Sequence, residues 1–187
     1  QANMSHNYGG DAYQEYLAKL KGGIMFNLGC HLIDVIVAML GRPDKVTPFL
    51  TSAPDSPENC ANNCLAILEY PHAHVVLHAC SREGDGLGHR RFQLSGTKGT
   101  VELCPLERFD GKPLTMRLTL CEDNDAYTAG THTVDLGVQH DRYRDQLLEL
   151  ARVINGEIEN PHTCEHDYLV QEVILAASGC APWEASP

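Results

Sequence analysis

Gly22-Gly23-Ile24-Met25-Phe26-Asn27-Leu28-Gly29-Cys30-His31-Leu32-Ile33-Asp34-Val35-Ile36-Val37-Ala38-Met39-Leu40-Gly41-Arg42-Pro43 is an apolar run closed at both ends by helix breakers. It is too long for a typical strand, and Gly41 followed by Pro43 is a C-terminal stop, so the pattern predicts a buried helix from about residue 24 to 40. Asn27, His31 and Asp34 stand at i, i+4 and i+7, positions that share one face of an α-helix. A polar line therefore crosses an otherwise apolar element. Upstream, Tyr13, Tyr16, Leu17 and Leu20 recur at helical spacing until Gly22 and Gly23, which predicts a short helix, while residues 1–10 read as loop.

Downstream the period changes to strand-like runs at about 45–52, 63–70, 73–80, 90–95, 99–104, 114–121 and 131–136. Tyr70-Pro71-His72 and Gly96-Thr97-Lys98-Gly99 are connections too short for anything but antiparallel neighbours. Leu114, Met116, Leu118 and Leu120 alternate with Thr115, Arg117, Thr119 and Cys121, as in a strand with one buried and one wetter face. Tyr143, Leu147, Leu150, Ala151 and Ile154 recur at helical spacing before Gly156. Leu169, Val173, Ala176 and Ala177 do so later. Helices, then strands, then helices, without strand–helix–strand alternation, predict an α+β fold: an open, predominantly antiparallel sheet with helices on one face. No dinucleotide fingerprint is present. Gly84, Gly86 and Gly88 follow a strand but lead into His89-Arg90-Arg91 and another strand, so they read as a mobile loop.

The 187 residues fit a single domain spanning 1–187. Fourteen basic against twenty-five acidic residues give a formal charge of -11, which repels nucleic acid and anionic lipid. The apolar run around Val35 to Leu40 is too short and too interrupted to span a bilayer. The eight cysteines lie mostly singly in apolar segments, as reduced thiols of a cytoplasmic protein do. Cys60 and Cys64 lack a second pair at zinc-ligand spacing, and His72, His74 and His78 read as a polar sheet face, so no metal is expected. Residues 1–10 show no signal peptide, and the start at Gln1 suggests a piece of a longer protein whose targeting segment is not visible.

His31 is the leading candidate for chemistry, because an imidazole exchanges protons near neutral pH and oxidation of an alcohol needs a group to take the hydroxyl proton. Gly22 and Gly23 permit close approach of a ligand or a second chain segment at the helix mouth. Asn27 lines that mouth with His31, and is the candidate for binding a substrate there. Asp34, one turn deeper, is positioned either to hold the imidazole in one tautomer or to bond elsewhere as a structural carboxylate. Lys98 in its turn, and Arg82 and Arg91 beside the glycine run, read as solvated or surface-paired charges. His140, Arg142, Tyr143 and Arg144 have only their position to recommend them.

The segment from Gly22 to Asp34, with Leu40-Gly41-Arg42-Pro43, resembles the signature helix of the glucose-fructose oxidoreductase and inositol dehydrogenase (Gfo/Idh/MocA) family. Phe92-Gln93-Leu94-Ser95-Gly96-Thr97-Lys98-Gly99-Thr100-Val101-Glu102 is similar to that family's strand, tight turn and strand. Tyr143 through Gly156 and Pro161 to Ser178 resemble its last two helices. The resemblance implies the C-terminal, substrate-binding and subunit-pairing domain of a nicotinamide-dependent oxidoreductase, with NAD or NADP held by a separate Rossmann domain and no cofactor bound to this chain. It implies a sugar, inositol or polyol substrate, His31 as proton acceptor, and a homo-oligomer formed through the open sheet face. The family's lysine-bearing Glu-Lys-Pro segment is absent, and Asn27 stands where the family usually has aspartate. The isolated chain is accordingly expected to be inactive. Two alternatives remain open at this stage: a glycosidase that oxidises its sugar transiently on bound NAD, and a pairing or ligand-binding module without chemistry.

Overall fold

The computed structural model describes residues 1–7 and 10–184. The order of elements is β1 (Ala2–Asn3), α1 (Gly10–Ala18), a π-helical turn (Met25–Gly29), α2 (Cys30–Leu40), then β2 (Lys45–Thr51), β3 (Asn63–Tyr70), β4 (Ala73–Cys80), β5 (Arg91–Gly96), β6 (Gly99–Leu103), β7 (Pro113–Leu120) and β8 (Gly130–Val138), and finally α3 (Arg144–Ile154) and α4 (Cys164–Ala177). The strands form one sheet in the order β2-β3-β4-β1-β5-β6-β7-β8. Every pairing is antiparallel except β1 with β4. The expected α+β architecture is present, and all seven expected strands form with ends no more than two residues from those that alternation marks.

β1 is the strand that the sequence reading places in a loop. Two residues carry no period, yet Ala2 pairs with Leu77 on one side and Phe92 on the other, so this short segment joins the two halves of the sheet. The glycine run also differs from expectation. A side chain on Gly86 would meet the His6 backbone at 2.5–2.8 Å, and Gly86 N–H donates to the Glu83 carbonyl. The run is held against the segment after β1.

On one face of the sheet, Cys64, Ala66 and Leu68 of β3 and Val75, Leu77 and Ala79 of β4 meet Leu32, Ile33, Ile36 and Val37 of α2 and Val173, Ile174, Ala176 and Ala177 of α4. Each large aliphatic side chain fully buried here contributes about 1.5–3 kcal/mol. The start of the helix fits against two neighbouring segments. Gly23 has φ +51, and a Cβ there would lie 1.9 Å from the Ala61 carbonyl oxygen, which instead accepts from Ile24 N–H at 2.8 Å. Gly22 abuts Ser178 at the end of α4. Both glycines thus admit other parts of the same chain.

The helices cover only the β2–β4 half of that face. Beyond β1, the register places Phe92, Leu103, Met116 and Val134 in one row on the helix side. None of these four is fully buried. The opposite face is of mixed character. Across β5–β8 it carries threonines and the Arg91–Glu102–Arg117 ion pairs at 3.0 and 3.7 Å. Across β2–β4 it carries Phe49, Leu65, Ile67 and Val76. Among the described residues no helix is long and apolar enough to cross a membrane.

Candidate functional site

The signature helix does not begin as an α-helix. Met25–Gly29 forms a π turn, with hydrogen bonds one residue longer than α, and the α register starts at Cys30. A Cβ on Gly29 would lie 2.4 Å from Met25 Sδ, so the glycine leaves room for the Met25 side chain alongside this wide turn. The change of register rotates the first turn relative to the rest, so Asn27, His31 and Asp34 do not act as one polar line.

Asn27 turns toward α1 and is partly buried. Its Nδ2 donates to the Tyr13 hydroxyl at 2.6 Å. Tyr13 packs at a tilt against His6, with ring centroids 4.9 Å apart and planes at 58°, and against Tyr16 at 6.0 Å, contacts that position the ring that anchors the amide. His31 is exposed. Asp34 turns toward α4, where its Oδ1 lies 2.8 Å from His166 Nε2. It therefore does not hold the His31 ring; its partner is an imidazole of another helix. His166 is set by the α4 cap, because Thr163 Oγ1 accepts its backbone N–H at 3.1 Å, and His162 packs near its ring.

Tyr13 and His166 were not singled out by sequence reading. Tyr13 lies on the helical stripe of α1, but nothing local signals that its hydroxyl meets Asn27. His166 stands three residues after a Thr in a cap position, a helix-start signal that says nothing of Asp34.

His6 is fully buried, and burial followed by the positive charge of Arg90 pushes its pKa down to about 4. Arg90, itself 4% exposed, donates from Nε to the Ser5 carbonyl and pairs with Glu107. Glu107 also receives Arg142 through Nη2 at 2.9 Å and Nε at 3.1 Å, so Arg142 has a structural partner. Behind α1 a buried amide network joins Asn62 Nδ2 to Gln14 Oε1 at 2.8 Å and Ser56 Oγ at 2.7 Å. Gln14 Nε2 donates to Ser81 Oγ at 3.0 Å.

The remaining candidates behave as ordinary surface groups. Lys98 pairs with Glu122 at 2.7 Å in the open, and Arg91 pairs with Glu102. All eight cysteines are free; Cys60 and Cys64 are buried, and burial raises both thiols, Cys64 to about 11. Among the described residues no group of three His, Cys, Asp or Glu could hold a metal ion. A groove of about 560 Å³ lies at the other end of α2 from His31, between Met39, Leu40, Tyr70, His74, Phe92 and Leu94.

The described residues do not form a dinucleotide cradle. The only parallel strand pair is β1 with β4, with no helix N-terminus at a glycine turn, and Gly86 packs against protein backbone.

The chain is similar to crystal structures of oxidoreductases. One, from Agrobacterium radiobacter in complex with NAD+, L-tartaric acid and magnesium, is 14% identical with a TM-score of 0.72; the match covers 96% of this chain and 53% of that one. Another, aldose-aldose oxidoreductase from Caulobacter crescentus complexed with glycerol, is 16% identical with a TM-score of 0.69, covering 96% and 51%. This chain thus spans about half the length of those structures, and at such identities the likeness shows the fold. A comparison with curated proteins finds no match. The sequence profile of the GFO/IDH/MocA C-terminal domain matches residues 1–102, more than half of the chain. On that match, and with the fold of the family's oxidoreductases, the chain belongs to the GFO/IDH/MocA C-terminal domain family.

Proposed function

We propose that this domain binds the substrate of an NAD- or NADP-dependent oxidoreductase that acts on a secondary hydroxyl of a sugar, inositol or related polyol. The observation that carries the reading is the pair at the π/α junction: Asn27 anchored by Tyr13 on α1, and His31 exposed one turn later. With Nδ2 committed to Tyr13, Asn27 Oδ1 is the atom left to accept a hydrogen bond from a substrate hydroxyl. His31 takes the proton of the hydroxyl being oxidised. The hydride from the same carbon goes to the nicotinamide, which a dinucleotide-binding half supplies. The alcohol becomes a ketone, and hydride and proton are both accounted for.

An exposed histidine suits this division of labour. Hydride transfer requires a site closed to water, and His31 lies on a surface that a second domain can cover. The same reading assigns subunit pairing to the sheet face away from the helices, with Phe49, Leu65, Ile67 and Val76 as its apolar contacts. The test is steady-state kinetics of the complete enzyme on myo-inositol and aldoses. Asn27→Ala raises KM with a smaller change in kcat, and a variant with unchanged KM for every turned-over substrate removes Asn27 from the site. Release of phenol from an aryl glycoside without net NADH would replace oxidation by transient redox.

A further inference from the structure

We propose that Arg90 is a positioning residue for the substrate site: its buried guanidinium fixes the Ser5–His6 segment, and through His6 and Tyr13 it fixes the Asn27 amide. The inference rests on the reading that Asn27 binds a substrate hydroxyl. Arg90 is 4% exposed, and a guanidinium stays charged when buried, so it needs partners. Glu107 takes Nη1, and the Ser5 carbonyl accepts from Nε at 3.0 Å. Replacing a buried ion pair by apolar side chains of similar volume is often neutral or stabilising, so stability alone does not account for this one. What the pair supplies is a directed bond at one point on the chain.

That point is where the sheet stops holding the segment after β1. Asn3 opposite Arg91 is the last residue pair between β1 and β5. On the other side the backbone continues along β4: Met4 N–H donates to the His78 carbonyl and His6 N–H to the Cys80 carbonyl, both at 2.9 Å. The Arg90 side chain takes the place of the missing β5 ladder bond at the Ser5 carbonyl. The connection between β4 and β5 closes on the same segment, with Gly86 against the His6 backbone and Glu83 N–H donating to the His6 carbonyl at 3.3 Å.

From His6 the path to the site is two contacts long. The His6 ring is fully buried and packs against Tyr13 with centroids 4.9 Å apart. The Tyr13 hydroxyl accepts from Asn27 Nδ2 at 2.6 Å. The Arg90 charge also disfavours protonation of the imidazole, which keeps a neutral ring against the phenol. A shift of Ser5 and His6 therefore moves the face on which Tyr13 rests, and with it the acceptor that orients Asn27.

The test is a double-mutant cycle in the complete enzyme, on whichever member of the myo-inositol and aldose panel it turns over best. Arg90→Lys keeps the charge but lacks the planar fork that serves Ser5 and Glu107 together. It is expected to raise KM about three- to tenfold with kcat within about twofold, and in a Tyr13→Phe background to raise KM by less than about twofold more. Partial unfolding would lower the active fraction, and so kcat, rather than KM. Glu107→Gln, which loosens the same guanidinium without replacing it, is expected to act in the same sense, so the outcome does not hang on one variant. The side-chain amide resonance of Asn27 in the 187-residue chain reads the link without substrate, and Arg90→Lys and Tyr13→Phe are both expected to move it. The role of Arg90 is overturned by full additivity with Tyr13→Phe, by an unmoved Asn27 resonance, or by a KM that neither Arg90→Lys nor Glu107→Gln changes while Asn27→Ala raises it. A resonance that moves while Asn27→Ala leaves KM unchanged overturns the substrate reading and not the positioning.

Discussion

Asp34 on α2 meets His166 on α4 at 2.8 Å, and this contact ties the two helices that carry and support the signature segment. Because the Asp34 side chain is half exposed, the pair contributes modestly, about 0.5–1 kcal/mol. Asp34→Asn is expected to lower thermal stability by a few degrees and to leave turnover of the complete enzyme within a few-fold. A loss of a hundredfold or more would put Asp34 back beside His31.

Tyr13 holds Asn27, and removing its hydroxyl sets the amide free to rotate. Tyr13→Phe is expected to raise KM for a polyol about three- to tenfold, the worth of one hydrogen bond, with kcat little changed. Asn27→Ala in the same background should add little more. Full additivity of the two effects would show that they act independently.

His6 makes stability depend on pH. Its folded pKa of about 4 lies below the unfolded value of 6.5. Between those values the unfolded chain binds a proton that the folded chain refuses, so stability is complete above about pH 6.5. It falls as pH drops toward 4, by on the order of 3 kcal/mol if nothing relaxes. Urea unfolding midpoints measured across pH 4–7 should show this slope, and His6→Gln should flatten it. An unchanged slope assigns the dependence to other groups.

The buried network around Asn62 is fully bonded, and that is what makes it sensitive. Asn62→Ala leaves the Ala53 N–H without its acceptor and takes one donor from Gln14 Oε1, which keeps Ser81 Oγ. We expect a loss of about 2–3 kcal/mol in chemical denaturation. A loss below about 0.5 kcal/mol would mean that water replaces the amide at no cost.

Periodicity carried most of the fold. Alternation over 63–70 and 73–80 marks β3 and β4 residue for residue, because each has one face in the core. β1 escaped because two residues have no period, and its pairing with Leu77 and Phe92 is a tertiary fact. The apolar run of 24–40 shows its helix but not the π turn, since hydrophobicity does not report whether a turn closes at i+4 or i+5. Asn27 and His31 were legible as residue types at a helix mouth, whereas Tyr13 and His166 depend on how α1 and α4 pack. The stripe on α3 was legible as a helix, yet sequence alone gave no sign that its own core would leave it bare.

The most direct measurement is the initial rate of nicotinamide reduction by the complete enzyme, this domain together with its dinucleotide-binding half, on myo-inositol and a panel of aldoses. The comparison is between the unmodified enzyme and His31→Ala. If His31 accepts the substrate proton, the substitution lowers kcat by about 10²-fold or more at neutral pH, with the fold and cofactor binding retained. A His31→Ala enzyme that keeps its rate within a few-fold contradicts the assignment.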